Sequence, residues 1–232
     1  ALLVDPAQNN AFRAVNLAWK QGASVGLVSG ASGARYAISG LSESVQAELV
    51  KSLALVAERS DESGAPIRKP RIGLFQPWSG SMDEGWTRWL LERYDFDFVV
   101  LRPEDFQTPL TGRIDVVILA EDARIPTAGA SGGGRGAGGM GGAMGAPPAG
   151  AAPPGAAAAA QAGMPAGGAR GGGARIVRPE YAYALTAADL QAFDAFIRGG
   201  GTLVCLNGAT RWAIQQFKLP VRNAVEGLKP DD

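Results

Sequence analysis

Ile72-Gly73-Leu74-Phe75, Phe98-Val99-Val100-Leu101 and Asp115-Val116-Val117-Ile118-Leu119 are the runs on which the fold turns. Each is short and apolar, and the last is a near-continuous apolar run of the kind buried on both faces of a parallel sheet. Between the first two, Ser81-Met82-Asp83-Glu84 matches the capping box, in which a serine and an acid three residues on satisfy helix-end amides. Trp86, Trp89, Leu90 and Tyr94 then fall on one helical face, and that spacing assigns Trp86 and Trp89 to the core. Pro103 to Phe106 reads as a short turn or helix, so the pattern is strand, crossover, strand, crossover, strand.

Downstream, a second capping box, Thr186-Ala187-Ala188-Asp189, precedes Leu190, Phe193, Phe196 and Ile197 on one face, and Gly199-Gly200-Gly201 stops that helix. Residues 202–206 read as a further buried strand and 209–217 as a last helix closed by Leu219-Pro220. Parallel strands alternating with helices predict a doubly wound, mostly parallel α/β domain with right-handed crossovers over residues 70–228. Upstream, residues 1–65 read as a small βαβα unit. Leu2-Leu3-Val4 closes at Asp5-Pro6; Phe12, Val15 and Trp19 recur at helical spacing until Gly22; residues 23–28 and 35–38 are strand candidates; Ser42 caps a helix with Val45, Leu49 and Leu53 as its buried stripe.

Residues 128–175 are rich in Gly, Ala and Pro, with three arginines and three methionines, a composition that buries too little to offset its ordering entropy. They read as a disordered insertion within the α/β domain. A nucleic-acid-binding tract is the alternative, since Arg135 and Arg170 sit among glycines, but the aromatics that accompany such tracts are missing.

The 232 residues contain no histidine and one cysteine, Cys205, which excludes Ser-His-Asp, Cys-His and His-ligated zinc sites within them. Acidic and basic residues balance at 22 each, giving no electrostatic reason to expect nucleic acid or an anionic membrane as partner. No apolar run reaches the roughly 18 to 20 residues that span a bilayer. The start at Ala1-Leu2-Leu3-Val4 and the end at Lys229-Pro230-Asp231-Asp232 suggest a segment of a longer protein.

Ligands of open α/β sheets bind beyond the carboxyl ends of the strands, here the loops 76–83, 121–124 and 207–211. Asp83 and Glu84 in the first helical turn suit the helix dipole and would repel a phosphate, which argues against nucleotide or flavin binding. Asp83, Glu84, Glu121 and Asp122 are candidates for a divalent-ion or acid/base cluster, although capping accounts for the first two and a solvated loop for the others. Trp78, Asp83, Glu84, Glu121 and Asn207 are the candidate residues of a strand-end binding crevice, Trp78 being the aromatic left on a loop. Cys205 precedes Leu206-Asn207-Gly208 where a nucleophile elbow can form, but without a base it reads as a small apolar residue inside the sheet.

From Pro70 through Trp78, then Ser81-Met82-Asp83-Glu84-Gly85-Trp86-Thr87-Arg88-Trp89, the chain resembles the C-terminal region of large bacterial zinc carboxypeptidases of the carboxypeptidase A-like family. The likeness continues at Phe196 to Val204 and at Leu219-Pro220-Val221-Arg222-Asn223. It implies a class I glutamine amidotransferase-like, flavodoxin-like domain that lacks its own catalytic triad. It also implies a parent enzyme that removes C-terminal residues from peptides with one zinc ion, in the periplasm or outside the cell. The family's zinc ligands, two histidines and a glutamate, have no match here, so no catalytic or metal residue carries over. The expectation is a non-catalytic accessory domain with no cofactor of its own, whose partner is the peptidase domain of the same polypeptide. The competing expectation is an independent small-molecule or glycan-binding module using Trp78, Asp83 and Asn207. A hydrolase built on Cys205 ranks last.

Overall fold

The computed structural model describes residues 1–30, 33–78, 80–120 and 184–224. The insertion at 128–175 and the loop 121–124 lie outside them. Among the described residues two sheets form, one antiparallel with five strands and one parallel with four.

The first sheet holds β1 (Leu2–Val4), β2 (Ser24–Gly30), β3 (Gly33–Ser39), β4 (Ala57–Arg59) and β5 (Ala65–Pro66) in the order β4-β1-β3-β2-β5. Helices α1 (Asn9–Lys20) and α2 (Glu43–Ser52) belong to the same unit. The expected βαβα unit is thereby corrected. β2 and β3 are adjacent in sequence with too few residues between them for a crossover, so they pair antiparallel, Val25 opposite Ile38. α2 is capped as expected, the Ser42 side chain accepting from the Val45 amide, and Leu49 and Leu53 are buried against Val4, Val15 and Ile38.

The second sheet holds β6 (Ile72–Phe75), β7 (Phe98–Leu101), β8 (Val116–Leu119) and β9 (Thr202–Cys205), all parallel, in the order β7-β6-β8-β9. Ile72 is level with Phe98 and Val116, and Val116 with Thr202. Helix α4 (Ala187–Arg198), helix α5 (Gly208–Phe217) and a 3₁₀ turn (Pro103–Gln107) pack on one face. Phe106, Phe193, Phe196 and Ala209 share a core there with Phe75, Leu101, Val117 and Leu119. Helix α3 (Met82–Arg93) lies against β6, and its buried Leu91 falls outside that core, as do Ile72 and Leu74. Alternation along β6 puts Ile72 and Leu74 on the opposite face to Phe75, which is the face α3 covers.

Helix ends follow the sequence with one change. Thr186 and Asp189 form the full capping box of α4. At α3 the Ser81 hydroxyl accepts from the Glu84 amide at 3.0 Å, but the Glu84 carboxylate turns to Arg88 and Gln76. Each glycine after α4 has its own task. Gly199 caps the helix, Gly200 takes a φ of 98° that a side chain would resist, and Gly201 lies under the ring of Phe196.

The two units meet along α1 and the end of α3. Asp95, at φ 57°, accepts from Arg13 Nε at 2.6 Å and from Lys20 Nζ at 3.2 Å, and buried Asn16 donates to the Tyr94 carbonyl at 2.9 Å. Partial desolvation pushes the Asp95 carboxyl up, but the bonds from Arg13 and Lys20 outweigh it and hold the group below its ordinary range. Arg68, in the connection, and Arg71, just before β6, both grip Asp115, just before β8, with two side-chain nitrogens each, and the Arg71 amide adds a third bond from that residue.

Candidate functional site

Of the predicted crevice residues, Trp78, Asp83 and Glu84 follow β6 and Asn207 follows β9, whereas Glu121, after β8, lies outside the described residues. β8 separates β6 from β9, placing them about 10 Å apart. Trp78 leans the other way, toward the loop after β7. Its Nε1 donates to Glu104 at 3.1 Å, and the Arg102 guanidinium lies 4.3 Å from the ring centroid. That geometry fixes the indole by a cation–π contact and a hydrogen bond, so Trp78 clamps two loops.

Glu84, read from sequence as a crevice residue, is buried within its own helix. Arg88 Nη2 donates to its Oε1 at 2.5 Å and Gln76 Nε2 approaches its Oε2 at 3.5 Å. A carboxylate one turn before an arginine is a favourable helical pair, and burial here is compensated by that charge. Asp83 is half-buried in the first turn of α3, its carbonyl accepting from the Thr87 hydroxyl at 2.7 Å. Glu121 and Asp122, the other half of the proposed acidic cluster, lie outside the described residues. Among the described residues no group of three His, Cys, Asp or Glu side chains is placed to hold a metal ion.

β9 ends in a sharp turn into α5. Asn207 sits at that turn with φ 42° and ψ −113°, while its carbonyl accepts from the Thr210 amide at 3.0 Å and the Thr210 hydroxyl at 2.5 Å. A strand-to-helix turn with a strained residue at its apex is the geometry of a nucleophile elbow, and here the apex is an amide side chain. Cys205, two residues earlier, lies inside the strand. Burial pushes its thiol up to about 11, which favours the protonated form at neutral pH.

Two features escaped the sequence. One is a groove of about 570 Å³ along the outer side of β9, lined by Ile197, Leu203, Cys205, Ile214, Phe217 and Leu219. Alternation of Leu203 and Cys205 marks one face of the strand, but nothing local says that α4 and α5 leave a gap above it. The other is α3. Its apolar stripe of Met82, Trp86, Trp89 and Leu90 points to solvent, with Trp86 63% and Trp89 54% exposed, which corrects their assignment to the core. The two indoles meet edge to face at 6.0 Å. Periodicity placed Trp86, Trp89 and Leu90 on one face together with Tyr94, which is half-buried at the end of the helix; it carries no information on which side the sheet lies, and α3 turns Glu84 and Leu91 inward instead.

Comparison of the chain with family models, curated proteins and solved structures returns no match.

Proposed function

We propose that this chain is a non-catalytic, amidotransferase-like α/β module that docks on the peptidase domain of a zinc carboxypeptidase within the same polypeptide. The observation that carries the reading is the solvent-facing stripe of α3, since contiguous aromatic and aliphatic surface on a helix marks a contact face. Three further points support it. The order β7-β6-β8-β9 runs 2-1-3-4 within its sheet, the order in which flavodoxin-like sheets begin. The elbow after β9 holds Asn207 where a nucleophile would stand. The Trp78 and Glu84 side chains are engaged by protein partners. Zinc chemistry belongs to the peptidase domain, and no step is assigned to residues of this chain.

The test has two arms. Purified protein is assayed with zinc against peptides carrying varied C-terminal residues; turnover would overturn the reading. The same protein is titrated with the peptidase domain encoded beside it, identified by its His-x-x-Glu; binding that disappears in a Trp86→Ser/Trp89→Ser variant is the expected result, and absence of binding by the unsubstituted chain refutes the docking role.

One observation favours a second reading, an independent binding module. The groove beside β9 is mostly apolar, with Asp194, Arg198 and Thr210 among its lining, and within the size range of small-molecule sites. Saturable displacement of an apolar fluorescent probe, lost on Leu203→Glu, would support it over the docking reading.

A further inference from the structure

We infer that Asn207 is a site of spontaneous backbone chemistry, in which its side chain and the Gly208 nitrogen close to a succinimide. The inference does not depend on what the module docks to. It rests on the backbone angles at the elbow. In an L residue the Cβ atom is displaced by about 120° from the nitrogen around the Cα–C bond, so a ψ near −120° eclipses Cβ with the next residue's nitrogen. Asn207 has ψ −113°, which places the Gly208 nitrogen almost in line with the Cα–Cβ bond. That eclipsed arrangement is the one a five-membered ring through Cα, Cβ, Cγ, the Gly208 nitrogen and the Asn207 carbonyl carbon requires.

An ordinary asparagine in a helix or strand must leave its well to reach it. Here the fold holds the arrangement in the ground state. Among the described residues the other non-glycine residues with positive φ are Ala54, Asp95 and Lys218. Lys218, at φ 49° and ψ 47°, is in the common left-handed well and its ψ points elsewhere. Asn207 therefore combines the reactive side chain, the eclipsing ψ and a glycine successor without a Cβ to obstruct approach. The first amides of a helix have no acceptor within that helix, so Gly208, the first residue of α5, gives up no helical bond by reacting. Asn207 and Gly208 are also both exposed to water, which the second step consumes.

The steps balance as follows. The Gly208 nitrogen loses its proton to base and attacks Cγ; the new N–C bond forms as the Cγ–NH2 bond breaks, and ammonia leaves with a proton. Water then adds to one of the two ring carbonyls. Opening at Cγ gives aspartate; opening at the main-chain carbonyl gives isoaspartate, with the chain routed through the former side chain. No oxidation or reduction occurs. Aspartate at the head of α5 suits the helix dipole, whereas isoaspartate inserts a methylene into the turn and displaces α5, one wall of the groove beside Cys205.

The experiment incubates the full chain at mildly alkaline pH in its native state and, in parallel, unfolded in urea, and follows the tryptic peptide Gly199–Arg211, in which Asn207 is the one amide residue. Because the fold has already met the cost of the strained conformation, conversion is expected roughly tenfold faster in the native chain than in urea, equivalent to about 1.4 kcal/mol. Loss of ammonia, then separate aspartyl and isoaspartyl peptides, is the expected product course, with rate rising with pH. Gly208→Ala should slow it sharply, and native Asn9, Asn10 and Asn16, which precede bulkier residues, should stay intact. Slower conversion in the native chain than in urea, aspartate without isoaspartate, or an unchanged rate in Gly208→Ala would each overturn the inference.

Discussion

Replacing Gly201 with alanine tests how closely α4 is laid on the parallel sheet. A Cβ built at Gly201 would stand 2.4 Å from two atoms of the Phe196 ring and 2.6 Å from a third. Real carbon contacts need about 3.5 Å, so the ring must retreat by about 1 Å. It has little room to do so. Phe196 is buried and stacked on Phe193 at 6.0 Å with planes 6° apart, and Phe193 in turn meets Phe106 at 5.3 Å and Phe217 at 5.9 Å. Overpacking of this kind costs about 1–3 kcal/mol, and disturbing the stacked pair adds up to about 1 more, for a total of about 2–4 kcal/mol. For a chain of this size that lowers Tm by roughly 4–16 °C.

The assay is urea unfolding of Gly201→Ala, Phe196→Leu and the double variant, read as midpoint shifts at constant slope. Leucine at 196 removes the ring atoms that collide, so alanine at 201 should cost about 0.5 kcal/mol or less in that background. An unshifted midpoint in Gly201→Ala, or the same cost in both backgrounds, would refute the contact. Gly200→Ala separates the backbone effect, since its φ of 98° predicts a loss of about 1–2 kcal/mol that Phe196→Leu does not relieve.

Three other outcomes follow from the same geometry. Trp86→Ser and Trp89→Ser should each cost about 1 kcal/mol in urea unfolding, against the roughly 3–5 kcal/mol of a buried tryptophan, and a core-sized loss in either would restore both to the interior. Asp115 is held well below the ordinary carboxylate range by hydrogen bonds from the Arg71 side chain, then from Arg68, then from the Arg71 amide. Its folded pKa is depressed, so its stabilisation is present above about pH 4 and fades as pH falls below it; with partners in solvent the effect is about 1 kcal/mol, and Asp115→Asn should flatten the acid limb of a stability profile by that amount. Burial raises the Cys205 thiol from 9.0 to about 11, so the native advantage holds below pH 9 and shrinks as pH climbs toward 11. Alkylation at neutral pH should be slower in the native chain than in urea, and equal rates would contradict the raised thiol pKa of this half-buried side chain.

Sequence reading was most effective where one segment decides its own conformation. β6 to β9 are apolar runs of four residues, and Ser42, Ser81 and Thr186 cap their helices by bonding amides three residues away. These are local matters of side-chain pattern and short-range hydrogen bonding. The candidate site was less legible. Trp78 stood out as a loop aromatic, but Arg102 and Glu104, from the next crossover, occupy it. Glu84 matched a capping box, yet Arg88 one turn on offers a full charge in a buried setting and draws the carboxylate away from the helix cap.

By itself, then, the order of residues determined the absence of imidazole chemistry, the parallel strands and their crossovers, and the amphipathic stripe of α3, because composition and period are properties of the chain alone. Tertiary structure decided that α3 shows Trp86 and Trp89 to water, that Cys205 lines a groove, and that Asn207 is held at ψ −113°. Each depends on where a distant element comes to rest: a helical period names a face without naming its neighbour, and a strained turn persists only when packing on both sides leaves the backbone no other path.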